Sequence, residues 1–296
     1  MEKIIDLHIH TNYSDGVLTP IEVIDEAVKN GVSTIAIADH DSIDAYSDEL
    51  YEYALKKGVN IINAVEISTK TSKAGVHVLG YSLDLNNADF RNKLFSLRNA
   101  RHDYLYNVAS KLEELGYVVN VSELDKIDAV TKAHISNDVT SNPANFDLLM
   151  NRFNHIPNKG EFIETIMNEG CPAYVKKETI SPKEAAELIR SAGGRVVLAH
   201  PVAYEYEDNV DDDYILSLVK EMNADGIEAN YIYIDRNNNK INEVDKWNKF
   251  AQDNNLMVSI GSDFHNKDGV HPVIGLIDED VHLSDEIVDN IIDNLS

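Results

Sequence analysis

Two patterns of hydrophobic and polar residues alternate along the chain. Short stretches that are wholly apolar, or that alternate apolar with polar residues, predict β-strands. Stretches that open on a cap residue and end at glycine predict helices. The predicted strands cover residues 5–10, 33–38, 60–65, 76–81, 195–199, 226–229 and 256–260. The predicted helices between them cover residues 19–30, 45–57, 181–192, 212–223 and 235–254. Strands that alternate with helices are typical of a parallel sheet, so the pattern predicts an α/β fold.

The pattern changes between residues 85 and 172. A long helix over residues 91–115 and another near residues 159–169 flank an acidic stretch and an Asn/Pro-rich turn. We therefore predict an α/β domain formed by residues 1–84 and 173–296, and a helical insertion formed by residues 85–172. About seven strands suit a closed or nearly closed barrel, and an open doubly wound sheet is the alternative. The glycine fingerprint of nucleotide-binding folds does not follow the first strand.

The composition limits the classes of function. The chain has 51 acidic and 26 basic residues, for a net charge of −25. A surface this acidic repels a long polyanion, so we expect no binding of long duplex nucleic acid, whereas a small anionic substrate remains compatible. The single cysteine, Cys171, excludes an intramolecular disulfide and a thiolate metal cage. Because we find neither a signal-peptide pattern nor a run of membrane-helix length, we expect a cytoplasmic protein without a membrane partner.

Candidate metal ligands stand at one kind of place in this pattern. His8 and His10 lie two residues apart in the first predicted strand, so their side chains share a face. Other candidates stand at or just past the carboxyl ends of later strands: His40, Glu66, His200, Asp263 and His265. In a parallel barrel these ends meet at the face where active sites are built. Any one of these residues often has only a structural role, but seven placed alike predict a site.

The donor atoms indicate which metals suit the site. Nitrogen and oxygen ligands are typical of zinc, manganese or ferrous iron. The ligands are too many for one ion, so they imply two or three. We expect the remaining histidines at the surface or in structural roles: His102, His155, His271 and His282.

Short motifs follow one another along nearly the whole chain. They are His8-Ile9-His10-Thr11, Ser14-Asp15-Gly16, Pro20, Ala38-Asp39-His40-Asp41, Glu66, His77-Val78-Leu79-Gly80-Tyr81, Ala199-His200-Pro201 and Gly261-Ser262-Asp263-Phe264-His265. Their order and spacing resemble the polymerase and histidinol phosphatase (PHP) family of metal-dependent phosphoesterases. The insertion around His134 resembles the branch of 3′,5′-nucleotide bisphosphate phosphatases and a 5′-to-3′ exoribonuclease. The resemblance implies a distorted (β/α)7 TIM-like barrel with a helical insertion.

The resemblance also implies a trinuclear centre of Mn, Fe or Zn. By motif position, the three ions would take His8, His10, Glu66 and Asp263; Glu66, His77 and His134; and Asp15, His40 and His265. His200 would face the phosphate as an extra ligand, a hydrogen-bond donor or a general acid. Asp39 would orient a ligand histidine, or would only cap a helix or loop. The branch usually continues from the insertion histidine into Ile-Ala-Arg, whereas this chain reads Ile135-Ser136-Asn137 and lacks the basic residue.

The activity that the resemblance implies is hydrolysis of phosphate esters in small nucleotides or short oligonucleotides. The bond would be a phosphomonoester or a terminal phosphodiester, and metal-activated water would attack it. A second anionic group of the substrate requires cations, and the candidates are Arg98 and Arg101 on one helix face, with Lys176 and Lys177. The alternative for each is a solvated surface position.

Two other functions remain open. A histidinol-phosphate phosphatase is one, and Asp15 weighs against it because Ser-Asp-Gly resembles the nucleotide-acting branch. The other is a metal-binding PHP module without catalytic activity, and the full set of motif ligands weighs against that. The natural substrate and the oligomeric state stay open.

Overall fold

The structure, a computed structural model, describes residues 3–127, 130–176, 179–235, 237–275 and 283–295, apart from the side chain of Arg101. The chain divides into two units, of which the first comprises Met1–Leu94 and Thr179–Ser296 and the second Phe95–Glu178. The sequence analysis placed its junctions after residues 84 and 172, and that division of the chain stays a prediction.

The described strands all belong to the first unit. They are β1 (Ile4–Ile9), β2 (Val32–Ile37), β3 (Asn60–Ile61), β4 (Ala64–Lys70), β5 (Gly75–Tyr81), β6 (Arg195–Leu198), β7 (Gly226–Asn230), β8 (Ile232–Ile234), β9 (Lys240–Asn242) and β10 (Met257–Ile260). Side chains from both larger sheets form one core, which includes Ile5, Leu7, Tyr81 and Val197. Burial of this apolar face fixes the register of the strands.

Several helices begin at a residue whose side chain caps them. They are α1 (Pro20–Lys29), α2 (Asp48–Lys57), α3 (Ala88–Glu114), α4 (Val121–Leu124), α5 (Lys132–Ser141), α6 (Phe146–Phe153), α7 (Lys159–Phe162), α8 (Pro182–Ser191), α9 (Pro201–Asp208), α10 (Asp212–Met222), α11 (Val244–Asp253) and α12 (Asp285–Leu295). Thr19 and Ser181 each cap a helix in a reciprocal pair with a glutamate three residues later. Such a pair satisfies two backbone N–H groups that the helix leaves unbonded.

The strands form two larger sheets and one hairpin. Strands β1, β2 and β3 make a parallel sheet, strands β10, β7, β6, β5 and β4 make a second sheet in that order, and β8 pairs with β9. Strand β5 is antiparallel to both β4 and β6, so the prediction of a wholly parallel sheet is wrong. An apolar strand has the same pattern in either direction, and only four residues, 71–74, separate β4 from β5, which is too few for a parallel crossover.

Two single bridges connect the larger sheets. One joins Ile9 at the end of β1 to Phe264, which follows β10, and the other joins His40, which follows β2, to Glu66 in β4. Within the described residues the sheets do not close into one, and the distorted barrel stays a prediction. Both bridges bring candidate site residues to the junction of the sheets.

The segment predicted as one helix over residues 235–254 differs from the prediction. It contains the turn of the β8–β9 hairpin and then α11. The Asp235 carboxylate accepts the backbone N–H groups of Asn237 and Asn239. Asp and Asn side chains compete for backbone groups in this way and favour turns over helices.

The second unit is helical and has its own core. Helices α4–α7 belong to it, together with a 3-10 turn at Pro143–Asn145 and a π-helical stretch at Ile163–Met167. Leu105, Leu112 and Phe162 are among its buried residues. None of the described helices combines the length and the apolar character that crossing a membrane requires.

Candidate metal centre

Four side chains from the two larger sheets bring their donor atoms together at the end of β1. The Nε2 atoms of His8 and His10 are 3.1 Å apart. Oε2 of Glu66 in β4 lies 3.4 Å from Nε2 of His8 and 3.2 Å from Nε2 of His10. Oδ1 of Asp263, which follows β10, lies 3.4 and 3.1 Å from the same two nitrogens. Two imidazoles and two carboxylates therefore surround one point.

The spacing of these four atoms fits a bound metal ion. Ligands about 2.0–2.2 Å from a tetrahedral zinc ion lie about 3.3–3.6 Å from one another. The five distances given above, 3.1–3.4 Å, are close to that spacing. Among the described residues, Oε2 of Glu66 has no hydrogen bond of acceptable geometry, although it is buried. A buried carboxylate oxygen without a donor is costly, and a cation would satisfy it.

Two further groups of donor atoms overlap the first. One consists of His10, Asp15, His40 and His265, and the other of His40, Glu66 and His77. The donor atoms within each group lie within 4.8 Å of one another. Nε2 of His265 lies 3.2 Å from Oδ1 of Asp15, and Nδ1 of His77 lies 3.0 Å from Oε1 of Glu66. The arrangement can hold more than one ion with shared ligands.

Electrostatics keeps the carboxylates of the centre ionised. Burial would raise the pKa of Glu66, but the surrounding histidines hold it well below its usual range. The pKa values of Asp15 and Asp263 are lowered by neighbouring histidines in the same way, against the effect of burial. Burial would lower the pKa of His10, but Asp263 and Glu66 raise it to about 10. Without a metal, protons on histidines therefore balance the carboxylates, and a divalent cation could replace them.

The backbone is strained at three residues around the centre. Asp41, His200 and Asp263 have φ angles of +50°, +24° and +53°, a region that residues other than glycine rarely adopt. Asp41 is held by a backbone N–H donated to the carbonyl of Glu66 at 2.8 Å. Such strain persists only where the surroundings enforce it, and it concentrates at functional sites.

A cavity of about 420 Å³ opens beside the cluster. His77, His200, Tyr204 and Tyr231 are among the residues that line it. Nε2 of His200 lies 3.1 Å from Oε1 of Glu66. Its Nδ1 is buried and has no hydrogen-bond partner among the described residues. The Tyr231 hydroxyl lies 3.4 Å from Oδ2 of Asp263. His200 and Tyr231 therefore place polar side chains in the cavity wall.

Asp39 holds the loop that follows β1. Its carboxylate accepts the backbone N–H and the hydroxyl of Thr11 at 2.7 and 2.6 Å, and the hydroxyl of Ser14 at 2.6 Å. The Ser14 hydroxyl in turn lies 3.4 Å from Nδ1 of His10. Asp39 thus reaches a histidine of the cluster through Ser14, and it also supports the loop.

The candidates predicted in the insertion belong to the second unit. Nδ1 of His134 accepts the backbone N–H of Thr131 at 3.2 Å, as part of the cap of α5. Its role as a metal ligand stays a prediction, as does the role of Arg98, which is half-buried on α3. The side chain of Arg101 and residue Lys177 lie outside the described part of the chain.

The other histidines have partners away from the cluster. His102 pairs with Asp125, His155 with Glu161, and His271 with Asp268. His282 lies outside the described residues.

Sequence reasoning missed one buried acid of the centre, Glu228. It lies in β7, and its carboxylate is 3.0 Å from Nδ1 of His8. A signal was present in the sequence, because Glu228 stands between Ile227 and Ala229 in the predicted strand of residues 226–229. A charged residue is almost never fully buried unless it is paired.

Comparisons with known proteins place the chain in a family. The PHP domain model matches residues 6–191. The chain is 31% identical to a 5′-3′ exoribonuclease of Haemophilus influenzae, over 90% of this chain and 91% of that protein. It is 27% identical to a 3′,5′-nucleoside bisphosphate phosphatase of Chromobacterium violaceum, over 88% of this chain and 87% of that protein.

A solved structure has a similar fold. It is an amidohydrolase from Chromobacterium violaceum with bound sulfate and no metal, with a TM-score of 0.73 and 24% identity over 98% of this chain and 96% of that chain.

The chain belongs to the PHP family, which confirms the resemblance inferred from the motifs. It is a metal-dependent phosphoesterase, a hydrolase of phosphoric ester bonds.

Proposed function

We propose that this protein uses a trinuclear centre to hydrolyse phosphate esters of small nucleotides or short oligonucleotides. The three ions, of Mn, Fe or Zn, would use His8, His10, Glu66 and Asp263; Glu66 and His77, with His134 as a predicted further ligand; and Asp15, His40 and His265. The observation that carries the proposal is the overlap of the three donor groups at Glu66, His10 and His40. Shared ligands are what keep ions a few ångströms apart in multinuclear phosphatases.

When bound, divalent ions neutralise phosphoryl oxygens and lower the pKa of water towards 7. The chain's own residues would position the substrate. His200 lines the cavity, so its ring could contact a phosphoryl or leaving-group oxygen. Tyr204 and Tyr231 line the same cavity and offer aromatic faces to a base.

The substrate class comes from two lines of support. The two relatives described above are named for action on RNA and on nucleoside bisphosphates. The cavity of about 420 Å³ suits a small phosphorylated molecule better than a long duplex. We also propose that the bridges Ile9–Phe264 and His40–Glu66 close the sheets into a distorted (β/α)7 barrel.

A substrate panel tests the activity and separates the alternatives. With Mn²⁺ present, we expect hydrolysis of a 3′,5′-bisphosphonucleotide or a 5′-phosphorylated short RNA to exceed that of AMP, histidinol phosphate and an aryl phosphate. Preference for histidinol phosphate would replace the proposed substrate class. Failure to cleave any of them at metal saturation would favour a module without catalytic activity.

Two histidine variants link the activity to the centre. His8→Ala removes a donor atom from the first group, so we expect loss of hydrolysis together with loss of bound metal. His155→Ala is the matched control, because His155 is exposed and pairs with Glu161 in the second unit. Full activity of His8→Ala would refute the assignment.

A further inference from the structure

One buried carboxylate at the centre lies outside the three donor groups. Glu228 is 1% exposed, in the middle of β7. Its Oε1 and Oε2 lie 3.0 and 3.2 Å from Nδ1 of His8. Its Oε2 also accepts the backbone N–H of His200 at 2.9 Å. A single carboxylate thus contacts one residue of β1 and one residue that follows β6.

The two ring nitrogens of His8 have different partners. Nε2 lies 3.4 Å from the carboxylates of both Glu66 and Asp263, whereas Nδ1 lies against Glu228. A histidine that binds a metal through one nitrogen commonly donates its other N–H to a carboxylate, which fixes the tautomer and the ring orientation. Glu228 is placed to accept such an N–H from Nδ1. The lone pair of Nε2 then stays available for a metal ion.

The contact with His200 supports a strained backbone. His200 has φ +24° and ψ 61°, and Pro201 follows it directly. This conformation is unfavourable for a residue with a side chain, so it needs fixed interactions on both sides. The hydrogen bond to Glu228 supplies one of them. It holds the residue whose Nε2 lies 3.1 Å from Oε1 of Glu66.

The space around Glu228 is tightly limited. A Cβ atom added to Gly261 would lie 2.5 Å from Oε1 of Glu228 and would also collide with the side chain of His8. The carboxylate therefore has little freedom to move away from Nδ1. Tight packing of this kind is how a supporting group transmits its position to a ligand.

We propose that Glu228 is a positioning residue, which orients the His8 ring for metal binding and holds His200 in its strained conformation. The inference rests on the proposed function, in which His8 is a metal ligand. It assigns a role to a carboxylate that is itself outside the ligand groups. It also predicts that the two histidines respond together to one substitution.

Metal affinity of the Glu228→Gln variant tests the proposal. The variant keeps the shape of the side chain but can no longer accept hydrogen bonds with both oxygens. Competition with a chromogenic chelator for Zn²⁺ should show roughly 10–100-fold weaker binding of one ion. Wild-type affinity and stoichiometry in a folded variant would overturn the proposal.

Asp225→Asn is the matched control. Asp225 directly precedes β7, three residues before Glu228, and its carboxylate accepts the backbone N–H of Val196 at 2.8 Å. The substitution removes the same charge and weakens a comparable hydrogen bond. We expect Asp225→Asn to bind Zn²⁺ like the wild type. Equal weakening in both variants would overturn the specific role of Glu228.

A measurement on the unsubstituted protein keeps the proposal testable if Glu228→Gln does not fold. In the ¹⁵N–¹H spectrum of the Zn²⁺-loaded protein, His8 should be protonated at Nδ1 and metal-bound at Nε2. The opposite assignment would overturn the proposal. Failure of the proposed function is distinguishable, because a protein that hydrolyses no phosphate ester but meets both expectations would still support the role of Glu228.

Discussion

Gly261 packs against both His8 and Glu228, so Gly261→Ala tests how tightly the centre is held in place. A Cβ atom at this position would lie 2.2 Å from the Cβ of His8 and 2.5 Å from Oε1 of Glu228. Ordinary contact begins near 3.4 Å, so the spacing from the new Cβ must grow by about 1.2 Å at His8 and about 0.9 Å at Glu228. Metal ligands tolerate only about 0.2 Å.

The size of that displacement sets the expected result. Overpacking a buried position costs about 1–3 kcal/mol in the free energy of unfolding. A misplacement of about 1 Å in a catalytic group can cost about 100-fold in rate. We therefore expect Gly261→Ala to lose about 100-fold in kcat/KM, with weaker metal binding measured by chelator competition. Urea unfolding measures the stability change independently.

Gly226→Ala separates a local effect from general destabilisation. A Cβ atom at Gly226 would lie 2.6 Å from the backbone carbonyl oxygen of Met257, at the opposite end of the strands. This control therefore creates a comparable clash without touching the centre. We expect similar loss of stability but unchanged metal affinity. If Gly261→Ala retained wild-type kcat/KM, or if both variants lost metal equally, the reasoning from geometry would be refuted.

Three further predictions concern the same centre. Chelation should abolish hydrolysis and lower the free energy of unfolding by about 2.7 kcal/mol relative to protein with metal at 100 times Kd. Thermal melts measure the stability change, and assays before and after Mn²⁺ is restored measure the activity. Full activity after chelation would contradict this prediction. Because the pKa of metal-free His10 is about 10, metal binding at pH 7 should release protons, and the metal affinity should rise as the pH approaches 10. Titration calorimetry in buffers of different ionisation enthalpy measures the proton release. Identical heats in all buffers would argue against it. Asp39→Asn should lower the free energy of unfolding by about 1–3 kcal/mol, since three hydrogen bonds from Thr11 and Ser14 meet its carboxylate; a change below about 0.5 kcal/mol in urea unfolding would contradict that role.

The ligand positions were more predictable from the sequence than the sheet. His8 and His10 share a face because a strand has a period of two, and strand ends place Asp263 near them. The direction of β5 was missed because an apolar strand has the same pattern either way, although the short connection from β4 was a signal for an antiparallel pair. Glu228 was missed because its role depends on a ring 220 residues away in the sequence. Local sequence patterns predict which side chains share a face and where helices begin. The pairing of strands that are distant in the sequence is decided by tertiary packing.

The junction between the two larger sheets should make the amount of folded protein depend on metal binding. At this junction His10 donates its backbone N–H to Phe264 at 2.9 Å, and Asp41 donates to Glu66 at 2.8 Å. The first donor group takes ligands from both sheets, so a bound ion ties them together. Without it, we expect this junction to open locally and its amide hydrogens to exchange faster, while the apolar core stays folded. In a cell short of metal, such opening exposes the backbone to proteases, so the amount of protein falls along with its activity.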